Sequence, residues 1–223
     1  MRYVTIGFVV VYLILVTLYL RPPRPEQKHG RVWNKTVLAL SYFIYAAVAV
    51  FFARHFDDST LLVVLLALAF CMAGDIVIQY HFICGAVLFF VANLINLGFQ
   101  LWSLSGLNLA FRNVWWFVPA AIIPLTIVAE LQRRNWLKLG HLAPLAILYL
   151  SSVTFSGMLG IAVALSSGLC SRCVLGTGLA LYMISDYFLI YREFRKSRRI
   201  AQMGNTLTYF IGMMLVALSL RIL

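Results

Sequence analysis

The sequence predicts an all-α protein, a polytopic transmembrane bundle of eight helices, and two observations support this prediction. The first is composition: of 223 residues, 63% are hydrophobic and 11% charged, with a mean hydropathy of +0.93. Soluble domains are about 45–50% apolar and about 25% charged, so the composition excludes both an ordinary soluble protein and a disordered chain. The second is that apolar stretches recur at about the 20-residue length that a membrane-crossing helix needs, about twice that of a barrel strand.

Eight predicted spans follow one another along the chain, separated by short polar connections. They are residues 3–20, 36–53, 60–79, 82–102, 114–130, 142–165, 173–191 and 206–220. Span one lacks a charged leader region and a small-residue cleavage site, which predicts a retained helix and not a signal peptide. Span five is interrupted by Pro119 and Pro124. No connection is long enough for a soluble unit, so we expect residues 1–223 to form a single integral-membrane domain.

The positive charge of the chain is distributed unevenly between the two ends of the predicted bundle. Of the 18 Lys and Arg residues, 13 lie in the connections after spans one, three, five and seven, which together form what we call the basic end. Because cytoplasmic loops of membrane proteins are rich in Lys and Arg, the basic end is predicted to be cytoplasmic. Both termini then lie on the other side of a bacterial inner membrane or an intracellular membrane. The net charge of +11 reflects topology, and no nucleic-acid partner is expected.

Two acidic residues lie inside apolar stretches, Asp75 in span three and Asp186 in span seven. An ionised side chain at membrane depth costs at least ~2.5–3.5 kcal/mol, so such residues usually face the bundle interior and carry function. Both spans run in the same direction, and at ~1.5 Å per residue both carboxyl groups lie roughly 6–8 Å inside the basic end. When two buried carboxyls face each other, one tends to keep its proton while the other is ionised. This arrangement places a proton donor beside a base, which suits acid-catalysed addition of water. The alternative is that each Asp separately bonds a neighbouring helix.

Six further polar residues can be placed near this layer, and we predict that they bind substrate: Lys35, Asn93, Tyr149, Tyr182, Ser185 and Tyr209. Lys35 opens span two from the basic end, where it could hold a phosphate, neutralise an acid or simply set topology. Tyr182 lies one turn before Asp186, so either it or Ser185 could orient that carboxyl. The tyrosines and Asn93 have a plainer alternative, which is a local or interhelical hydrogen bond.

No metal or other cofactor is expected from the Cys and His residues. Cys170 and Cys173 have the spacing of a redox or zinc site, but zinc needs two more ligands and no second pair is near. A local disulfide and two inert thiols are both open for this pair. The His residues fall at or near span ends, and no two of them have metal-ligand spacing.

Two parts of the sequence resemble the signatures of a known family of membrane proteins. Residues 71–75 (CMAGD), followed by 81–90 (HFICGAVLFF), and residues 178–186 (GLALYMISD) are similar to the two acidic motifs of the YhhN family. That family comprises eight-span proteins and includes the lysoplasmalogenases. The resemblance implies hydrolysis of the vinyl ether of a lysoplasmalogen to a fatty aldehyde and a glycerophospho-alcohol. It also implies that Asp75 and Asp186 are the catalytic acids.

The chain departs from the family pattern at three places, and two other functions stay open. At the start of span two, Thr36 follows Lys35 where the family often has Pro. In span four the family typically has His followed three residues later by Tyr, where this chain has Asn93 and Asn96. In span eight Met213 stands where Gln is common. One alternative is a catalytically silent protein that binds or senses lysolipid. The other is a small proton-coupled transporter, since acids within the membrane also mark ion pathways. The expected partners are a lysophospholipid substrate and the surrounding membrane lipids.

Overall fold

The computed structural model describes residues 2–20, 28–52, 59–106, 117–134, 140–195 and 199–222. Within these ranges the chain forms eight α-helices and no strand, which confirms the predicted all-α fold. The helices are α1 (Arg2–Leu20), α2 (Lys28–Phe51), α3 (Ser59–Val77), α4 (Phe82–Gly106), α5 (Phe117–Arg133), α6 (Ala143–Ser167), α7 (Cys170–Arg195) and α8 (Arg199–Ile222).

Six of these helices, α1, α2, α4, α6, α7 and α8, are long and apolar enough to cross a membrane. The other two have shorter apolar stretches: that of α3 covers Leu61–Val77, and α5 has 17 residues with Pro124 inside it. The protein is therefore a membrane protein, and its helices agree with the eight predicted spans. The predicted start of span five, residue 114, lies outside the described residues. The orientation and the kind of membrane stay predictions.

Several helices extend beyond the apolar stretch that predicted them, mainly at the basic end. α2 begins at Lys28 and α8 at Arg199, in both cases well before the predicted span, and α7 continues to Arg195. Hydropathy detects the border of the lipid, whereas a helix continues into the headgroup region where good helix formers such as Lys and Arg follow. α3 instead ends early, at Val77, in a turn where the His81 amide donates to the Val77 carbonyl at 2.8 Å.

The most extensive contacts between helices are those of α7 with α8 and with α6. A Cβ added at Gly176 on α7 would overlap the carbonyl oxygen of Gly160 on α6. One added at Gly178 would lie 2.9 Å from the carbonyl oxygen of Gly212 on α8. Small residues let membrane helices approach this closely, so α6, α7 and α8 form a tightly packed unit.

α2 and α3 pack against each other and against α8, which joins them to this unit. Towards the basic end, the interior between these helices contains buried polar side chains, with Asp75 on α3 and Asp186 on α7 among them. The fold therefore brings together two helices that are far apart in sequence, and this layer is where the candidate site lies.

Candidate active site

Asp75 lies in the last turn of α3 and is almost completely buried, at 1% exposure. Its Oδ1 is 3.1 Å from Lys35 Nζ on α2. Its Oδ2 accepts hydrogen bonds from the hydroxyls of Tyr209 on α8, at 2.7 Å, and Tyr42 on α2, at 3.1 Å. A buried carboxylate loses its hydration and needs a cation or donors in exchange. Asp75 has both, so its charged form is well accommodated.

Helix geometry explains how α2 and α3 supply this arrangement. Lys35 and Tyr42 are about two turns apart, so they lie on the same face of α2. In the turn after α3, the side-chain amide of Gln79 donates to the main-chain carbonyl of Asp75 at 3.0 Å and to Thr36 Oγ1 at 3.4 Å. These bonds hold the end of α3 against α2 and fix the carboxyl opposite the ammonium.

Asp186 on α7 is equally buried, at 2% exposure, but has fewer donors. Tyr149 on α6 donates its hydroxyl to Oδ2 at 2.7 Å. Tyr182 is buried near this carboxyl, and within the described part of the chain neither its hydroxyl nor that of Ser185 has a partner with hydrogen-bond geometry. Across the described residues, no Lys or Arg forms an ion pair with Asp186. The two acids therefore have unequal surroundings.

Both carboxyls line one pocket of about 390 Å³, a volume that includes its mouth. Two of the predicted substrate-binding residues, Lys35 and Tyr209, line the same pocket. Two acids, a cation and a hydroxyl on one cavity wall are groups that can exchange protons with a bound molecule.

The other predicted residues lie around the pocket. Tyr149 is connected to it through the hydrogen bond to the α7 carboxyl, and Tyr182 and Ser185 are buried in α7 beside it. Asn93 is located between α4 and α6, where its amide donates to Ser152 Oγ at 2.9 Å. Asn93 thus forms an interhelical hydrogen bond, which was the alternative to its predicted role in binding substrate.

Three residues at the site were not predicted. Tyr42 could have been found by its helical spacing from Lys35, and Asn205 by its position one turn before Tyr209 on α8. Arg192 lines the pocket, although the sequence suggested only a topology charge at this position. Its Nη1 donates to Asn205 Oδ1 at 3.2 Å. From sequence alone, an arginine at the end of a span that sets topology cannot be told from one that lines a pocket.

An apolar groove adjoins the pocket between α4, α6 and α7, with a volume of about 730 Å³ that includes the open space at its mouth. Leu189 lines both cavities, and the ring of Tyr149 forms part of the groove wall. Other wall residues, such as Ala86, Phe90 and Ala146, are apolar. The groove therefore offers a hydrocarbon surface next to the polar pocket, with Leu189 in the wall of both.

Cys170 and Cys173 are free thiols, so the local disulfide is not formed. Over the described part of the chain, no three His, Cys, Asp or Glu side chains gather in the way that a metal site needs. The absence of a cofactor stays a prediction.

Comparison with known proteins relates the whole arrangement to a family. The model of the YhhN family matches residues 30–220, a range that includes Lys35, Asp75, Asp186 and Tyr209. No curated protein and no solved structure matches the chain.

Proposed function

The chain belongs to the YhhN family, and from this premise we propose that it is a hydrolase of the lysoplasmalogenase type. The proposed reaction cleaves the vinyl ether of a lysoplasmalogen to a fatty aldehyde and a glycerophospho-alcohol. The observation that carries the proposal is the pair of buried carboxyls, Asp75 and Asp186, which line one pocket with unequal sets of donors.

The unequal surroundings suggest which acid holds the proton. Asp75 faces an ammonium and two hydroxyls, and charge-assisted hydrogen bonds of this kind stabilise a carboxylate. Asp186 is buried with one hydroxyl donor and no ion pair among the described residues, and its neutral form avoids the cost of desolvating a charge. In the proposed mechanism, Asp186 is the general acid and Asp75 is the ionised base.

The reaction uses these two states in turn. Asp186 gives its proton to the vinyl carbon remote from the ether oxygen, and the carbon bonded to that oxygen becomes an oxocarbenium centre that the Asp75 carboxylate stabilises. Water then bonds to this carbon while Asp75 takes its proton, which yields a hemiacetal. As the hemiacetal breaks, Asp75 returns this proton to the glycerol oxygen and the hemiacetal hydroxyl gives its proton to Asp186. Both acids end in their starting states.

The adjoining groove supports a substrate with a single long hydrocarbon chain. A chain that lies along the apolar walls of α4, α6 and α7 stays in a hydrocarbon environment while its ether is held close to the acids. The transporter alternative gains less support. The proline-containing α5 packs mainly on α6, and the residues that line the acid pocket come from other helices.

The test is aldehyde release by the purified protein in detergent, with a lysoplasmenyl-ethanolamine as substrate. We expect turnover by the wild type and a loss of at least about 100-fold in Asp75→Asn and in Asp186→Asn, the usual scale for removing a general acid or base. Glu130→Gln is the matched control, because it makes the same kind of change at an exposed carboxyl bonded to Arg133 outside the pocket.

The outcomes separate the candidates. Turnover that survives either Asp change overturns the proposed mechanism. Lysolipid binding without aldehyde release by the wild type indicates the silent binder, and solute flux in liposomes without aldehyde release indicates the transporter.

A further inference from the structure

Arg192 occupies a constrained position at the pocket that contains both acids. It is partly buried in the C-terminal part of α7 and lines the pocket wall. Its guanidinium donates to Asn205 Oδ1 at 3.2 Å, and the amide of Asn205 donates in turn to the main-chain carbonyl of Ser185 at 2.9 Å. α8 therefore fixes this guanidinium relative to the residue that precedes Asp186.

Two comparisons distinguish Arg192 from a charge that only sets topology. Arg133 and Arg134, also at the basic end, are 74% and 53% exposed and pair with Glu130 on their own helix. Arg192 instead lies in a cavity wall, against a neutral amide from another helix. Lys35 also lines this cavity, and its ammonium lies 3.1 Å from the Asp75 carboxylate.

We propose that Arg192, positioned by Asn205, binds the phosphodiester of the substrate's head group, an inference that rests on the proposed function. A guanidinium presents parallel N–H donors that match two phosphate oxygens, and arginine is favoured where such recognition is needed. With Asp186 holding its proton, the charged residues that line the pocket sum to one positive charge, which complements the single negative charge of a phosphodiester.

The chemistry of the substrate is compatible with this placement. In a lysoplasmalogen only the glycerol unit separates the phosphate from the vinyl ether. Arg192 and both acids line one cavity, so a phosphate at Arg192 lies near the acids, and Leu189 joins this cavity wall to the groove that would take the chain. Arg192 thus sets which end of the lipid faces the cavity and favours phospholipids over neutral glycerol ethers.

Binding measurements can test this separately from turnover. The probes are a 1-alkyl lysophosphoethanolamine, which has no vinyl ether to cleave, and the corresponding 1-alkylglycerol, which has no phosphate. The wild type should bind the phospholipid about 10- to 100-fold more tightly, as expected for hydrogen bonds to a charged group. Arg192→Gln should lose this preference and retain its affinity for the 1-alkylglycerol, which also shows that it is folded. Arg133→Gln, the matched control, should bind both as the wild type does.

Two further variants keep the proposal testable if Arg192→Gln does not fold. Arg192→Lys retains the charge without the paired donors, and Asn205→Ala removes the positioning amide. Each should reduce the preference several-fold. A preference that stays at the wild-type level in the Arg192 variants, or is absent from the wild type, overturns the proposal. Inorganic phosphate that binds the wild type as tightly as the lipid would reassign the site to a free anion and also overturn it. Aldehyde release is measured independently, so a failure of the proposed hydrolase is recognised separately.

Discussion

Replacing Lys35 with methionine removes the ammonium opposite Asp75 and leaves that carboxyl with two tyrosine hydroxyls. The two charged groups are 3.1 Å apart, and their side chains are 19% and 1% exposed. Breaking a buried ion pair from one side costs about 3–5 kcal/mol, because the remaining charge is uncompensated. Water can reach the lysine side of this pair, so we expect the lower end, a loss of about 3 kcal/mol in the free energy of unfolding.

A double-mutant cycle with Asp75→Asn isolates the interaction itself. When both partners are replaced, no unpaired charge is left, so the double variant should lose less stability than the two single variants together. We expect a coupling energy of about 1.5–3 kcal/mol, the range for hydrogen bonds to charged groups. The assay is unfolding in mixed micelles of a mild detergent and dodecyl sulfate, followed by helical circular dichroism.

The exposed pair of Glu130 and Arg133 provides the control for this cycle. Their atoms are 2.7 Å apart, closer than those of Lys35 and Asp75, yet the side chains are 39% and 74% exposed. Exposed pairs contribute little, so a Glu130→Gln and Arg133→Gln cycle should show no measurable coupling. If the Lys35–Asp75 cycle gives an equally small value, Asp75 is not a charged carboxylate held by Lys35, and the reasoning about its role is wrong.

The remaining predictions concern Tyr149, the groove and the helix packing. Tyr149→Phe removes the hydroxyl donated to the α7 carboxyl and should lower kcat for aldehyde release about tenfold with little change in KM, as loss of about one hydrogen bond implies. Ala146→Phe narrows the groove and should raise KM more for long-chain than for short-chain substrates, whereas Ala162→Phe, further along the same helix and outside the groove, should not. Gly176→Ala inserts a Cβ between α6 and α7 and should lower the free energy of unfolding by about 1–3 kcal/mol. Gly98→Ala has open space around the new Cβ and should be neutral or stabilising by up to about 1 kcal/mol in the same unfolding assay.

The sequence was sufficient to predict the helices and the two central acids. Apolar length alone identifies membrane helices, because lipid requires every backbone polar group to be satisfied within the segment. Asp75 and Asp186 could be identified because an ionised carboxyl inside an apolar stretch costs free energy and is therefore rare unless it has a function. Equal depth on parallel spans also placed them in one layer, and the structure brings both to one pocket.

The surrounding residues were harder to predict because their roles depend on how the helices pack. Tyr209 and Tyr42 meet the same carboxylate oxygen from α8 and α2, a contact that no spacing within one helix specifies. Arg192 is indistinguishable in sequence from the other basic residues at the ends of spans. Asn93 lies at a suitable depth, but the rotation of α4 directs its amide to Ser152 on α6.

The most direct test of the central claim, proton transfer from Asp186 to the vinyl carbon followed by attack of water, is to run the reaction in heavy water and trap the aldehyde as it forms. The account predicts one deuterium on the carbon next to the aldehyde carbon, with the signal absent in Asp75→Asn and Asp186→Asn. An aldehyde without that deuterium, or one released equally by the two variants, would contradict it.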